Sequence, residues 1–590
     1  MRINYAKRKR KEALAMGQKT TARKAAKLTF DGSRGIDTRA NHGKAPCPVA
    51  IDNFRILPDG SLQKRNGYKK IFSSKGIRTI WSGIVKGKFE CFVLVREKLY
   101  KLDTETGETT DFGSVNTTSG KAQIFYFRDQ LYLIDGSAVY QINEDEIIGA
   151  QGYVPLFGKD WSTGVPGEIN EPLNLINPNA RITYLAEDIP TPYLPTLYAA
   201  EYVQAVYKNG VLISDDEYRN EPQNKWIFVR DMSPGDSFEV NLTYNRDELP
   251  DNSDLLSCRS AESFGGINTR RLFLWNGNVQ NTIFFSATVD KESLEASIKR
   301  YGDSGPLYFR TGDQFVAGDG RYSVTAISRH YDRLLIFTEG DTWMADSSAW
   351  DVEEFPVMNI NNSVGCYSHN GVVTVEDGPI SVSREGIFKW TADTDELNES
   401  NAYCISDPIT PHLSDDFLRY CVVFYDRRRK EIWFHEEERT GVIWIYNLQH
   451  KAWTSFSNIF AAQFFDSGSD VGFVDYNSVY VFSDEEYIDS FDSGTENITA
   501  TIQSGTYDFV DPSYKKMDSF VCRCDPDSSE LILSISTDRG EAISTFLRDS
   551  KKHAVIQRKI TTHRMRAIEF KIVENGAHRP TIHSIEIYAR

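Results

Sequence analysis

The chain has 590 residues, more than one small hydrophobic core needs, which predicts three or four domains or one large repetitive architecture. Hydrophobic residues make up 40% and aromatic residues 12%, and this Tyr and Phe enrichment favours pleated sheets over helices. The net charge is −16, no apolar run approaches the roughly 20 residues that span a bilayer, and the N-terminus lacks the apolar centre of a signal peptide, so we expect no anchor and no export by that route.

The N-terminal segment, residues 1–45, is predicted to be a basic arm. Residues 1–28 carry ten Lys or Arg against Glu12 alone, a local charge of +9 that leaves −25 for the rest. Such an arm can bind an acidic neighbouring subunit or nucleic acid, or stay solvated and disordered in isolation. The assembly-arm candidates are Lys7, Arg8, Lys9, Arg10, Lys11, Arg23, Lys24 and Lys27.

The segment from Ala50 to Tyr68 is predicted to be an extended stretch, a tight turn and a polar strand. Pro58 fixes φ, Asp59 can bond the following backbone and Gly60 tolerates positive φ. The polar strand contains Lys64-Arg65-Asn66-Gly67-Tyr68. By itself this pattern is also typical of an ordinary β-hairpin.

Short alternating strands joined by D-G, N-G or T-G turns fill residues 46–150 and 256–495. Groups of about four strands recur every 40 to 55 residues or so, with an aromatic residue and a turn glycine in each hairpin. This periodicity predicts a β-propeller of about six or seven blades, in two parts. A β-sandwich is the alternative.

Two further modules are predicted to be β-sandwiches. Residues 151–255 interrupt the blade pattern with strands such as 205–213 and 225–229, and residues 496–590 follow it with strands such as 530–536. The predicted fold is therefore all-β: a split β-propeller with an inserted β-sandwich and a C-terminal β-sandwich.

The eight cysteines are scattered without a C-x-x-C pair, which predicts reduced, mostly buried thiols in a protein made in a cytosol.

Four motifs resemble parts of enzymes or metal sites, but three lack a required residue and the fourth is a turn that is structural even in the enzymes it resembles, so we predict no catalytic, cofactor or metal residues. Residues 302–306 resemble the loop around a serine protease nucleophile, but the second glycine of that loop and a segment that supplies the base are missing. Residues 435–439 carry Arg439 where a zincin needs its second His, which predicts a solvated hairpin tip. Residues 383–390 predict a structural propeller turn, and residues 393–398 lack the glycine of a calcium loop.

The "A-x-x-N", "PDG" and "KR-x-GY" patterns of residues 50–68, followed by a split propeller, an inserted sandwich and a terminal sandwich, resemble those of tail hub or nozzle proteins of tailed bacteriophages. The domain order covers about nine-tenths of the chain and carries the resemblance more than any single motif does.

The resemblance implies a structural virion protein and no enzyme: a ring subunit, expected to be a homo-hexamer, assembled in the host cytoplasm. It would extend the DNA-ejection channel below the portal and adaptor, contact adaptor, fibre or tail-tip subunits, and let double-stranded DNA pass transiently. The alternatives are a tail-tip or baseplate protein of a long-tailed phage, and a propeller glycosidase or carbohydrate-binding protein.

Overall fold

The computed structural model describes residues 26–39, 47–265, 270–301, 305–331, 333–346, 356–369, 371–376, 378–391, 401–437, 440–491, 494–508, 513–527, 529–540, 542–549 and 553–590. Strands dominate, and the predicted all-β class is confirmed. The helices in these ranges are short: α1 (Ser253–Leu256), α2 (Lys291–Tyr301) and α3 (Asp415–Arg419). None of the described helices is long and apolar enough to cross a membrane.

Five strands precede the first complete blade. They are β1 (Ala26–Phe30), β2 (Pro48–Asp52), β3 (Phe54–Ile56), β4 (Leu62–Lys64) and β5 (Tyr68–Ser73). The predicted turn lies between β3 and β4, with Gly60 at φ 84° and the Asp59 carboxylate accepting from the Ser61 backbone N–H at 3.0 Å. Proline, aspartate and glycine thus form the tight turn that their chemistry predicts.

Blades 1 and 2 follow as four-stranded antiparallel sheets. Blade 1 contains β6 (Ile77–Val85), β7 (Lys88–Val95), β8 (Lys98–Leu102) and β9 (Thr109–Ser114). Blade 2 contains β10 (Gln123–Phe127), β11 (Gln130–Ile134), β12 (Val139–Ile142) and β13 (Ile147–Gly149). The Arg128-Asp129 link between β10 and β11 has φ of 44° and 63°, as tight hairpins require.

The inserted sandwich has one five-stranded and one three-stranded sheet around its own core. The larger sheet contains β14 (Leu156–Ser162), β15 (Asn179–Leu185), β17 (Ala200–Lys208), β18 (Val211–Leu212) and β21 (Ser237–Tyr244). The smaller sheet contains β16 (Tyr193–Pro195), β19 (Tyr218–Glu221) and β20 (Trp226–Val229). Alternate residues of β21 and β15 point into this core, as a half-buried strand pattern predicts.

Blades 3 to 5 continue the propeller after the insert. Their strands are β22 (Ser260–Phe264), β23 (Arg271–Trp275), β24 (Thr282–Phe285) and β25 (Gln314–Val316); β26 (Val324–His330), β27 (Arg333–Thr338), β28 (Thr342–Ala345) and β29 (Val357–Asn361); and β30 (Val372–Val375), β31 (Gly378–Ser383), β32 (Gly386–Trp390) and β33 (Ala402–Cys404).

Blades 6 and 7 complete the propeller. Blade 6 contains β34 (Cys421–Asp426), β35 (Glu431–Glu436), β36 (Val442–Asn447) and β37 (Ala452–Ser457). Blade 7 contains β38 (Gln463–Asp466), β39 (Val471–Val474) and β40 (Ser478–Phe482), and its fourth strand is the N-terminal β5. The propeller therefore closes by pairing an early strand with a late one.

The first strands of the blades form a closed ring. Each contacts its neighbours in the order β6, β10, β22, β26, β30, β34, β38 and back to β6. The described strands therefore form a propeller of seven blades, which confirms the predicted split propeller. A closed ring also leaves few free strand edges in a chain with this much sheet.

The terminal sandwich is continuous with the propeller. After the hairpin of β41 (Ile488–Phe491) and β42 (Gly494–Asn497), it contains β43 (Ala500–Ser504), β44 (Met517–Asp525), β45 (Leu531–Thr537), β46 (Ala542–Leu547), β47 (Ala554–Lys559), β48 (Ile568–Glu574) and β49 (Thr581–Ala589). One sheet runs from blade 6 through β2 into β43, β48, β45 and β46, and one hydrophobic core extends across both domains.

The N-terminal strands lie elsewhere than the sequence analysis put them. β1, which lies inside the range expected for the basic arm, pairs with β49. β3 and β4 join the sheet of β49 and β44. The strands β1, β2 and β4 therefore pair with strands of the terminal sandwich, and β3 joins them through β4, instead of forming an arm and a first blade. Their alternating apolar side chains, such as Leu28, Phe30 and Phe54, are buried in the shared core.

Candidate functional site

The propeller axis contains a cavity of about 360 Å³ where the seven first strands meet. Two cations and two carboxylates line it: Arg78, Lys121, Glu262 and Glu437. Over one helical turn of about 34 Å, the major groove of a DNA duplex alone, about 12 Å wide and 8.5 Å deep, encloses about 3,500 Å³, roughly ten times the volume of this cavity. DNA therefore cannot pass along the axis of one propeller.

Both carboxylates of the axial cavity are held by cations. Lys121 Nζ lies 3.2 Å from Glu437 Oε2, and the Tyr476 hydroxyl donates to Glu437 Oε1 at 2.7 Å. Arg329 Nη2 lies 2.7 Å from Glu262 Oε1. Burial raises the pKa of Glu262, and the nearby Arg329 opposes that rise.

Two glutamines join neighbouring blades at the axis. The Gln123 side chain, on β10, donates to the Ala261 carbonyl at 3.1 Å and accepts from the Ala261 N–H at 2.8 Å. Gln463, on β38, makes the same pair of bonds with Ile80, at 2.9 and 3.2 Å. These amides satisfy backbone groups that no ladder pairs, so the described axial polar groups serve largely to hold the ring together.

The segment Lys64 to Tyr68 is the second candidate site, because it carries the sequence resemblance. The sequence analysis expected a polar strand, but Lys64, Arg65, Asn66 and Tyr68 are all buried. Lys64 Nζ contacts Glu574 of the sandwich and donates to the Gly576 carbonyl at 2.7 Å. Burial lowers the pKa of Lys64, and Glu574 opposes that effect.

Arg65 makes a two-point ion pair with Asp489, next to blade 7. Its Nη1 and Nη2 lie 2.8 and 2.6 Å from the two Asp489 oxygens, and Nε donates to Asn53 at 2.8 Å. Asn66 donates to Asp470 of blade 7 at 2.9 Å. Lys64 thus binds the sandwich and the next two residues bind the propeller. We call Lys64–Tyr68 the junction motif.

The predicted assembly arm is described only at its end. Lys27 lies in β1, where its Nζ is 2.9 Å from Glu586 Oε1, and this contact raises the Lys27 pKa. Lys27 thus holds β1 to β49. The remaining arm candidates, Lys7, Arg8, Lys9, Arg10, Lys11, Arg23 and Lys24, lie outside the described residues, as do residues 302–304 and 393–398.

The sequence analysis expected residues 435–439, HEEER, to form a solvated hairpin tip, and this prediction is wrong for the histidine. His435 and Glu436 lie in β35 and are buried, while residues 438 and 439 fall outside the described ranges. The other predicted turn is confirmed: Ser383 pairs with Gly386 across the β31–β32 hairpin, and Trp390 is buried beneath.

The cysteines are all free, with Cys47 and Cys404 half-buried and the other six buried.

Comparisons with known proteins give little further guidance. No family model and no curated protein match the chain. Among solved structures, BBS1N in a complex with ARL6DN is 8% identical over 72% of this chain and 99% of its own, with a TM-score of 0.33. The extracellular domain of the putative hybrid two component system BT3049 from B. thetaiotaomicron is 9% identical over 83% and 72%, with a TM-score of 0.27.

An exo-beta-1,3-galactanase from Phanerochaete chrysosporium is 10% identical over 79% of this chain and 95% of its own, with a TM-score of 0.16. TM-scores this low indicate no function for this chain.

Three features could not be read from the sequence. The carboxylate partners of Arg65 and Lys64 are 424 and 510 residues away in the chain. Nothing near the junction motif identifies those partners. The one available signal was two adjacent cations before a glycine and an aromatic residue, which gives no indication of burial. The axial ion pairs also join residues far apart in the chain: Lys121 and Glu437 are 316 residues apart, and Arg329 and Glu262 are 67 apart.

Proposed function

We propose that this protein is a structural subunit of a tailed-phage virion, assembling as a tail hub or nozzle ring that extends the DNA-ejection channel and docks tail appendages. The observation that carries the proposal is the junction motif. The residues that resemble the phage family by sequence are the ones that lock the propeller to the terminal sandwich. Two domains joined by buried ion pairs in this way suit a ring subunit that must transmit load.

The narrow axial cavity supports a channel formed between copies of the chain. Because one propeller cannot admit a duplex, several copies must surround the DNA. The body outside the basic N-terminus has a net charge of −25. An acidic channel wall would repel the phosphate backbone and let DNA slide, whereas a basic wall would hold it through counterion release.

The axial carboxylates favour a role without catalysis. A glycosidase needs two carboxyl groups free to face a sugar, one as acid and one as base or nucleophile. In the axial cavity Glu262 and Glu437 are each paired with a cation. Hydrolysis of a host-surface polysaccharide by the wild type that is lost in Glu262→Gln would instead support the glycosidase alternative.

Negative-stain imaging of the purified protein tests the proposal. We expect rings with six-fold symmetry, and a reconstruction of the ring should place acidic side chains on the channel wall. A protein that stays monomeric at high concentration, or a ring whose channel wall is basic, would overturn the proposal. Rings found only at a distal tail tip of virions would favour the baseplate alternative.

A test of the assembly arm needs a deletion that leaves the fold intact. Because Ala26–Phe30 form β1, the deletion should remove residues 1–25 only. If the arm binds acidic neighbours in the virion, the shortened protein should fold normally but enter tails poorly. Incorporation equal to wild type would contradict the arm's role and leave the ring proposal standing.

A further inference from the structure

A cluster of metal-ligating side chains lies on the exposed face of the terminal sandwich. Asp525, His553 and His583 bring one ligand atom each to within 4.8 Å of one another. His583 Nε2 lies 3.2 Å from Asp525 Oδ2, and His553 Nδ1 contacts Oδ1 of the same carboxylate. Asp525 is the last residue of β44, His583 lies in the adjacent β49, and His553 immediately precedes β47, the neighbour of β44 on its other side.

The sheet register produces this convergence. In the order β49, β44, β47, Asp525 ends the central strand, and Cys524 pairs with Ala554 on one side and with Ile582 on the other. Since Cys524 faces the core, Asp525 faces solvent. His553 immediately precedes Ala554 and is therefore the direct cross-strand neighbour of Asp525.

A β-bulge brings in the second histidine. Arg523 pairs with Ser584 and Cys524 with Ile582, so His583 is the extra residue of β49. A bulge changes the direction of the side chain it carries. Here it places His583 on the solvent face, beside Asp525, while Ile582 and Ile585 stay buried.

We propose that Asp525, His553 and His583 form a binding site for a Zn²⁺-class transition-metal ion. Two imidazole nitrogens and one carboxylate suit Zn²⁺, Co²⁺ or Ni²⁺, while Ca²⁺ and Mg²⁺ prefer oxygen ligands. Tetrahedral Zn²⁺ with bonds near 2.0–2.1 Å separates its ligand atoms by about 3.3 Å. Because the three ligand atoms lie within 4.8 Å of one another, binding would shorten the widest separation by at most about 1.5 Å.

The site leaves a coordination position open. Three protein ligands leave the fourth tetrahedral position to water or to a group from another molecule. The His553 side chain is 77% exposed, so this position is accessible. The bound ion would tie β44 to both neighbouring strands and stabilise the folded sandwich as its concentration exceeds its dissociation constant.

Calorimetric titration of the EDTA-treated full chain with Zn²⁺ tests the site, with Co²⁺ absorption as a second readout. We expect one saturable site per chain and a tetrahedral Co²⁺ spectrum. His553→Ala and His583→Ala should each weaken binding at least tenfold, and Asp525→Asn should weaken it similarly. Zn²⁺ should raise the melting temperature of the wild type but not of these variants.

His578→Ala is the matched control, because His578 is an exposed histidine of the same domain outside the cluster. It should bind as the wild type does. Melting in EDTA reports whether each variant is folded. Absence of saturable binding by the wild type at millimolar Zn²⁺, or wild-type binding by folded His553→Ala and His583→Ala, would overturn the proposal and leave two ordinary Asp–His ion pairs.

Discussion

At the scale of single residues, buried charges concentrate at the junction motif. Arg65 and Asp489 have side chains 0% and 2% exposed. Removing two charges from water costs several kcal/mol each, which only close pairing and additional hydrogen bonds recover. Arg65 has both, since it also donates to Asn53 and to the Asn66 carbonyl.

Asp489→Asn should destabilise the protein by about 3–5 kcal/mol, because it leaves the Arg65 guanidinium buried without a counter-charge. Urea unfolding followed by intrinsic fluorescence measures the loss. Glu144→Gln is the control, since the Lys86–Glu144 pair is exposed and should contribute at most about 1 kcal/mol. Equal effects of the two substitutions would contradict this account.

His435 should make stability depend on pH. Burial lowers its pKa to about 4, against 6.5 for the free side chain. Between pH 4 and 6.5 the unfolded chain binds a proton that the native state does not. The contribution of neutral, buried His435 to the free energy of unfolding is therefore complete above pH 6.5 and is lost as the pH falls toward 4. Its size is about 3 kcal/mol.

Melting temperatures of His435→Gln across pH 4 to 7 check this prediction. The melting temperature of the variant should fall less steeply with decreasing pH than that of the wild type, even if the variant is less stable overall. His578→Gln, at an exposed site, should keep the wild-type slope. A His435→Gln profile parallel to the wild type would show that another group titrates.

At the scale of elements, β5 closes the ring of blades. It pairs with β40, and Tyr68 lies edge-on against Phe473, Tyr480 and Phe482 of blade 7. Gly67 brings the chain into this position. Its N–H donates to the Glu486 carbonyl at 2.8 Å, and its Cα lies directly against the backbone of Ile488.

Gly67→Ala should therefore weaken the closure. A Cβ at this position would lie 2.0 Å from the Ile488 carbonyl oxygen, so backbone must move. We expect a loss of about 2–3 kcal/mol, measured as a lower midpoint of thermal unfolding. Gly149→Ala is matched, because nothing lies within 4 Å of its added Cβ. It should change stability by no more than about 0.5 kcal/mol.

At the scale of the whole molecule, two of the hydrophobic cores in the described chain differ in how many domains they join. One core crosses from blades 5 and 6 into the terminal sandwich, and a separate core fills the inserted sandwich. Scanning calorimetry should show a large transition for the propeller with the terminal sandwich and a smaller one for the insert. Asp489→Asn should lower only the first, and Leu242→Ala, in the insert core, only the second.

A single transition shifted by both substitutions would contradict this division. Independent melting of the terminal sandwich would contradict the shared core.

The sequence predicted the elements well wherever local chemistry decides them. Pro58, Asp59 and Gly60 form the expected turn, and the hairpins of blades 1 and 2 lie where alternating strands meet their turn residues. It predicted the junction motif and HEEER poorly. Polar letters suggested solvent exposure, whereas Arg65 and His435 are buried by partners from other parts of the chain.

The sequence by itself determined the all-β class, the blade repeat, the two sandwich modules and their order, because these follow from side-chain alternation and turn residues a few positions apart. Only the tertiary structure decided that β1 to β4 join the last domain, that β5 closes a ring of seven, and that Asp525, His553 and His583 meet. These contacts join residues far apart in the chain, and strand pairing between distant segments produces no periodic pattern in the amino-acid sequence.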